Sequence, residues 1–194
     1  MDSEKYLFLP FVEIEVRLGT LGKTFDSSVS KEYFENILTE LKGFKEWVSV
    51  NTSETVEYIQ ENVKNINGKK MVLKENVVNK TVQMPTSPFD VRLSISQEFI
   101  LDSCIDTFSK ADCITRTKSR TSFIDKHYKY ELTRVIEKKN NINKEKYEIE
   151  IELIVSECLD WSLQYLNDFL ECKVYDLVNL VEPMERDQFK IKFD

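Results

Sequence analysis

The sequence predicts a mainly β protein of the α+β class, with seven or eight antiparallel strands and two principal helices. Charged and aliphatic residues alternate at a spacing of two near both ends, in "FVEIEVRLG" (11–19) and "YEIEIEL" (147–153). Further alternating segments lie between them, separated by short turns, and two other segments carry apolar residues at helical spacing. Consecutive strands with short turns favour a meander or a closed barrel.

The first half of the chain predicts a strand at 11–18 and then a helix at about 30–47. Ser28 or Ser30 can cap this helix. Its apolar residues at helical spacing are Phe34, Ile37, Leu38, Leu41 and Phe44. Two short strands follow, "ETVEYIQ" and "KKMVLKENVV", and Asn67-Gly68 predicts the turn between them.

The second half predicts four strands and a helix. The first two strands are "FDVRLSISQEFI" and "ITRTKSRTS", and the second of these carries three cations on one face. The next two are "HYKYELTRVIE" and "KYEIEIELIV", which "NNINKE" joins as a turn. A helix is predicted at about 158–181, with an apolar stripe that includes Trp161, Leu170 and Leu177.

Length and composition limit the functions that are open to this chain. Its 194 residues, of which 41% are hydrophobic, predict a single domain over 1–194 with a sizeable core. The net charge of −7 argues against a DNA-coating protein, and no apolar run approaches the roughly 18 residues of a membrane span. We therefore expect neither DNA nor a membrane as a partner. Since His127 is the only histidine, a metal site would use oxygen ligands, which favours Mg²⁺ or Mn²⁺.

Charge is segregated by strand, whereas ordinary solvated strand faces mix both signs. Carboxylates occupy positions 13 and 15, and again 148, 150 and 152, while cations occupy 116, 118 and 120. Carboxylates that share one space raise each other's pKa, and a divalent cation removes that cost. Rows of Arg and Lys suit a polyanion such as a triphosphate. Together these groups favour phosphoryl transfer, and the alternative is a globular β protein whose charged rows form its wet face.

In these segments the chain resembles the metal-dependent RNA 5′-triphosphatases of fungi, protozoa and large DNA viruses, within the triphosphate tunnel metalloenzyme superfamily. The matching segments are, in the family's order, "VEIEVRLG", "MVLKENVV", "FDVRLSISQE", "RTKSR", "KYELT" and "YEIEIEL". A single E-x-E motif is weak evidence for the family. Two E-x-E strands at opposite ends of the chain, with R-x-S-x-S-x-E and R-x-K-x-R strands between them, are strong evidence. The resemblance implies a closed eight-stranded antiparallel barrel with a polar, charged lumen, in which carboxylates face inward and aliphatic residues lie outside, under the helices.

The resemblance also implies a role for each matching residue. Glu150 would position or deprotonate the attacking water, and Lys74 would contact the γ-phosphate. The metal ligands would be Glu13, Glu15 and Glu152. The groups that hold the phosphates and stabilise the leaving group would be Arg116, Lys118 and Arg120. The rest of the tunnel wall would be Arg17, Arg92, Glu98, Lys129, Glu131, Thr133 and Glu148.

Two positions depart from the family pattern. Fungal members usually carry an arginine on the strand that corresponds to "ETVEYIQ", and here Tyr58 takes that place. This leaves open whether another cation substitutes or whether the register of this strand differs. The position of Glu131 is commonly Asp in the family, which is a mild change.

The implied reaction removes the γ-phosphate from nascent RNA in the first step of mRNA capping. The implied partners are the 5′-triphosphate end of RNA and an mRNA guanylyltransferase, and both a homodimer and a monomer stay open. The implied location is the nucleus, or the cytoplasm if the protein is viral. One alternative keeps the tunnel but makes it a CYTH-like tripolyphosphatase or nucleoside triphosphatase. Another is a non-catalytic RNA-binding capping subunit, against which the complete set of glutamates argues.

Overall fold

The computed structural model describes residues 11–84, 87–101, 113–140, 142–183 and 185–186, which contain nine strands, two helices and a short 3₁₀ turn, Val155–Glu157. The helices are α1 (Lys31–Gly43) and α2 (Leu163–Asn179). The strands are β1 (Val12–Leu21), β2 (Phe25–Asp26), β3 (Ser49–Gln60), β4 (Val63–Ile66), β5 (Lys70–Val82), β6 (Asp90–Leu101), β7 (Ile114–Ile124), β8 (Tyr128–Lys139) and β9 (Ile142–Leu153).

Eight of these strands close into an antiparallel barrel. The order around it is β1, β6, β5, β4, β3, β7, β8 and β9, and β9 pairs again with β1. In the closing register Glu15 lies opposite Glu152 and Arg17 lies opposite Glu150. The ninth strand, β2, pairs with β1 as an addition to the barrel. The predicted closed eight-stranded barrel is confirmed.

Strand β4 is the barrel strand that the sequence did not reveal, and the two-residue β2 outside the barrel was not predicted either. The chain turns back already at Glu61, whose φ is +53°, and forms this four-residue strand before a second turn. That second turn is the predicted one at Asn67 and Gly68, whose φ angles of +54° and +69° suit a tight hairpin. Four residues are too few to show a clear alternation, so the sequence predicts only the turn at Asn67 and Gly68 between two longer strands.

The hydrophobic core lies outside the barrel, between its wall and the two helices. On β1 the outward residues Ile14, Val16 and Leu18 are each 1% exposed. They belong to one apolar cluster with Ile37 of α1 and Leu170 of α2. The aliphatic residues of the E-x-E strands therefore stabilise the fold through the helices, as the family resemblance implied.

Both helices are shorter than predicted, and a hydrogen bond explains each boundary. Ser30 caps α1 by accepting from the amide of Tyr33 at 3.1 Å. This helix ends at Gly43, and the Trp47 indole donates to its Leu41 carbonyl at 2.9 Å, so Trp47 packs as core beyond the helix. Ser162 caps α2, which therefore begins at Leu163 rather than near 158. No helix in the described part of the chain is long and apolar enough to cross a membrane.

Candidate active site

All of the predicted site residues face the lumen of the barrel. Directly opposed residues of neighbouring strands share a face of the sheet. The registers oppose Arg17 to Arg92, Lys74 to Glu98, Arg120 to Thr133, and Lys129 to Glu152, so these positions form one continuous inner surface. The lumen residues predicted from the sequence are Glu13, Glu15, Arg17, Lys74, Arg92, Glu98, Arg116, Lys118, Arg120, Lys129, Glu131, Thr133, Glu148, Glu150 and Glu152.

The three predicted metal ligands lie toward one end of the lumen, which we call the carboxylate end and define by the start of β1 and the end of β9. Glu15 and Glu152 are direct neighbours across the β1–β9 pair, and Glu13 follows on the same face of β1. Lys74 forms an ion pair with Glu13 and lies 3.7 Å from a carboxylate oxygen of Glu15. The Lys129 ammonium lies 3.0 Å from a carboxylate oxygen of Glu152.

The neighbouring lysine and arginine side chains do not fully compensate the negative charge of Glu15 and Glu152. Burial raises the pKa of Glu152 to about 8, an effect that Lys129 opposes and Glu131 and Glu13 strengthen. Burial also raises the pKa of Glu15, although Arg17 opposes it. The ionised forms of these carboxylates would be favoured by additional positive charge.

The donor set suits a hard divalent cation, because the described lumen residues at this end offer three carboxylates and neither imidazole nor thiol. Within the described ranges, no group of three Asp, Glu, His or Cys side chains is arranged closely enough to hold a metal ion. The ammonium groups of Lys74 and Lys129 contact the carboxylates instead. The chemistry of the three carboxylates therefore fits a divalent metal ion. A bound ion would replace Lys74 and Lys129 as the positive partner of these carboxylates.

Glu150 lies at the centre of the lumen and is 3% exposed. The Arg17 Nε lies 3.0 Å from one of its oxygens, and the Arg120 Nη2 lies 3.5 Å from the other. Burial alone would raise the pKa of Glu150, but Arg17, Arg120 and Lys118 outweigh burial and lower the pKa to about 2. A carboxylate held ionised so strongly accepts hydrogen bonds well and abstracts protons poorly, which favours positioning of a water molecule.

The basic strand β7 forms the opposite wall, and each of its three cations has a carboxylate partner. Lys118 donates to Glu57 at 2.8 Å, Arg116 pairs with Glu148, and Arg120 pairs with Glu131. Arg120 Nε also donates to the Thr133 hydroxyl at 3.0 Å. Because every partner is an anion, a ligand rich in charged oxygens can replace these contacts one for one.

Glu57 and Lys64 are lumen residues that the sequence reasoning missed. Glu57 lies opposite Arg116, whereas Tyr58 lies opposite Thr115 on the other face of β3, so Tyr58 does not take the place of the family's arginine. The additional cation on this side comes from β4, where Lys64 Nζ lies 3.2 Å from Glu98 Oε1. In the sequence, Glu57 alternates with Val56 and Tyr58, so it lies on the opposite face of the strand from them. Only the β3–β7 register, which opposes Glu57 to Arg116, shows that this face is the lumen.

Comparison with protein-family models identifies the family of this chain. Residues 51–182 match the mRNA triphosphatase family model, described as "mRNA capping enzyme, beta chain". The chain belongs to this family. As a member of the mRNA capping triphosphatases, it belongs to a family of enzymes. The matched range includes most of β3 and all of β4 to β9, while Glu13 and Glu15 on β1 reach the same lumen through barrel closure. No curated protein matches the chain.

Solved structures of similar fold include two capping triphosphatases. The S. pombe Pct1 RNA triphosphatase superposes with a TM-score of 0.72 at 18% identity, covering 94% of this chain and 90% of Pct1. The Mimivirus capping enzyme triphosphatase superposes with a TM-score of 0.60 at 15% identity, covering 92% of each chain. Another Pct1 structure contains the Spt5 CTD, with a TM-score of 0.68, 20% identity and coverage of 96% and 88%. At these sequence identities the structural similarity establishes a shared fold only. That fold extends over nearly the whole length of each triphosphatase chain.

Proposed function

We propose that this protein hydrolyses the γ-phosphate of 5′-triphosphate RNA, with Mg²⁺ or Mn²⁺ as its metal, and leaves 5′-diphosphate RNA. The observation that carries the proposal is the lumen itself. One closed barrel brings a metal-type carboxylate set, a buried ionised Glu150 and a wall of cations into a single space. Membership of the capping triphosphatase family supports this reaction over other phosphoryl transfers.

The cations of β7 would bind the triphosphate. Arg116, Lys118 and Arg120 alternate along one strand, so their charged groups follow the axis of the lumen. The phosphate oxygens would replace Glu148, Glu57 and Glu131 as their partners. Charge-assisted contacts of this kind are among the stronger hydrogen bonds in proteins, and Arg makes them in bidentate geometry.

Glu13, Glu15 and Glu152 would hold the metal, which would neutralise charge on the phosphate oxygens. Lys74 contacts two of these three carboxylates and would contact the γ-phosphate next to them. Glu150 forms ion pairs with Arg17 and Arg120 and would orient the attacking water toward the γ-phosphorus. In phosphoryl transfer this alignment and the neutralisation of charge supply most of the rate enhancement.

The product suggests the partner reaction and the location. A 5′-diphosphate end is the acceptor that an mRNA guanylyltransferase requires, so we propose that such an enzyme acts next on this RNA. The proposed location is the nucleus, where nascent transcripts are made, or the cytoplasm if the protein is viral.

The test uses RNA labelled at its 5′ γ-phosphate, with Mg²⁺ or Mn²⁺, for the wild type and Glu15→Ala. We expect labelled phosphate from the wild type only, and no release when EDTA is present. Unlabelled tripolyphosphate is assayed in parallel. Hydrolysis of tripolyphosphate without release from RNA would replace the proposal by a tripolyphosphatase, and release that survives EDTA would contradict the metal.

A further inference from the structure

An aromatic ring lies over the lumen face of β1 at the end opposite the carboxylate end. We call this the hairpin end and define it by the β1–β2 hairpin and the β8–β9 hairpin. Phe25 of β2 lies opposite Leu21 of β1. Leu21 and Gly19 have the same parity on β1 as Glu13, Glu15 and Arg17, so Phe25 lies on the lumen side.

Gly19 shows how closely this ring approaches the strand. A Cβ atom at Gly19 would lie 2.6 Å from the Phe25 ring and 2.2 Å from the carbonyl oxygen of Asp26. Real Cβ atoms do not approach other atoms so closely, so a side chain at position 19 is excluded. The space that a lumen side chain of β1 would take at this end is filled by Phe25, which is half-buried.

Arg92 stacks on the same ring and has capacity for an anion. Its guanidinium carbon lies 4.7 Å from the Phe25 ring centroid, within the range of a cation–π contact. Its Nε atom is buried and has no hydrogen-bond partner among the described residues. Arg17 lies directly opposite on β1, and burial together with the Arg17 charge lowers the pKa of Arg92.

Charge along the lumen gives a direction. The metal-type carboxylates lie toward the carboxylate end, where Lys74 and Lys129 contact them. Arg17, Arg92 and Arg116 lie toward the hairpin end, where Glu148 contacts Arg116. Outside the hairpin end, Lys138, Lys139 and Lys144 are exposed on the β8–β9 hairpin. The Lys144 ammonium lies 3.9 Å from Asp26, next to Phe25. Positive charge at a mouth attracts a polyanion from solution.

We infer that 5′-triphosphate RNA enters through the hairpin end and that Phe25 with Arg92 forms the binding site for its first nucleoside. This inference rests on the proposed function. The γ-phosphate then reaches toward Glu13 and Glu152, the α-phosphate lies beside Arg92, and the first base stacks on the Phe25–Arg92 pair. Stacking of a base on an aromatic side chain is tolerant of sequence, as a capping enzyme requires.

The consequence is a distinction between RNA and inorganic tripolyphosphate. Tripolyphosphate has no base, so it uses the cations and the carboxylates without the Phe25 ring. Phe25 is therefore a positioning residue for the nucleoside and not a group that touches the reacting phosphorus.

The kinetic test measures kcat/KM of Phe25→Ala and Phe25→Trp on both substrates. We expect Phe25→Ala to lower kcat/KM for RNA by roughly 5- to 150-fold, the range for one stacked base, and to leave tripolyphosphate hydrolysis unchanged. Phe25→Trp should keep the activity on RNA. The matched control is Phe11→Ala, which removes an exposed aromatic ring at the carboxylate end and should affect both substrates equally.

The outcomes separate this inference from the proposed function. A wild type that releases no phosphate from RNA would refute the proposed function. A wild type that is active on RNA, with Phe25→Ala affecting both substrates equally or neither, would overturn the inference alone. Selective loss of RNA activity in Phe11→Ala would place the RNA at the other end.

A binding measurement keeps the test independent of turnover and of the fold of a variant. Wild-type protein without divalent cation is irradiated with 5′-triphosphate RNA whose first base is photoreactive, and the cross-linked tryptic peptide is identified. We expect the peptide of residues 24–31, which contains Phe25. A cross-link confined to residues of the carboxylate end would overturn the inference.

Discussion

Along β1, inward and outward residues are almost equally inaccessible to water, yet their chemistry is opposite. Glu15 faces the lumen and is 3% exposed, and Ile14 faces the helices and is 1% exposed. The same contrast holds on β9, where Glu150 is 3% exposed and Ile149 is fully buried. One wall thus carries two buried surfaces, of which one is charged and one is apolar.

The two surfaces contribute to the protein in different ways. Burial of charge costs desolvation free energy, which the ion pairs of the lumen oppose. Burial of aliphatic side chains between the wall and the helices is favourable, by about 25 cal/mol per Å² of apolar surface. The outer face therefore supplies stability and the lumen supplies chemistry, so substitutions on the two faces should separate these properties.

The largest expected effect is on activity, for Glu152→Gln. Loss of a proposed metal ligand should reduce turnover by at least about 100-fold, the upper range for outer-shell partners of a metal. Burial raises the pKa of Glu152 to about 8, above its ordinary value of 4.5, so folding at pH 7 requires this carboxyl to take up a proton, which costs free energy. The neutral variant should unfold at no lower denaturant concentration than the metal-free wild type.

The matched control for Glu152→Gln is Glu54→Gln, which makes the same change on the exposed outer face of β3. It should retain wild-type activity. Equal loss of activity in both variants would contradict the separation of the two faces.

The reverse effect is expected for Ile37→Ala on α1. Ile37 is fully buried in the apolar cluster, and its truncation should lower the free energy of unfolding by about 2–5 kcal/mol. Activity per folded molecule should stay near that of the wild type at a temperature where the variant is folded. Urea titration measures the stability, with the exposed Ile136→Ala as its control. A specific loss of turnover in folded Ile37→Ala would show that the helices act on the lumen.

A smaller, mixed effect is expected for Glu57→Gln, which tests the register of β3. This change leaves Lys118, which is 9% exposed, without its charged partner, so both stability and activity should fall. Tyr58→Phe, one residue along and on the other face, should leave kcat/KM for RNA nearly unchanged. If Tyr58→Phe were the more damaging of the two, the lumen position would belong to Tyr58.

The smallest effect is expected for Arg134→Gln. Arg134 pairs with Glu145 on the outside of the barrel, where both side chains are about half exposed. Exposed ion pairs contribute little because water and salt screen them. Thermal unfolding should give a midpoint close to that of the wild type, and activity should not change. A clear loss of activity would show that the outer face of β8 contributes to catalysis, contrary to the separation between the lumen face and the outer face.

The two sets of residues were predictable as separate faces because a strand has a period of two, and the family resemblance implied which face lies inward. Once 11–18 and 147–153 are strands, Glu13, Glu15, Glu148, Glu150 and Glu152 must share faces, whichever strands lie beside them. The short β4 and its Lys64 were not predictable in this way, because four residues between two turns leave no period to detect. The helix ends were missed because Trp47 and Ser162 act through single hydrogen bonds that apolar spacing does not report.

By itself, the sequence determined the alternation of the strands, the order of the charged segments and, through them, the family. Only the tertiary structure decided which charges meet. The β1–β9 register brings Glu15 to Glu152, the β3–β7 register selects Glu57 over Tyr58, and the β1–β2 hairpin places Phe25 over Gly19. The physical reason is that a side chain's face follows from its own strand, whereas its partner follows from barrel closure and turn geometry, which involve residues distant in sequence.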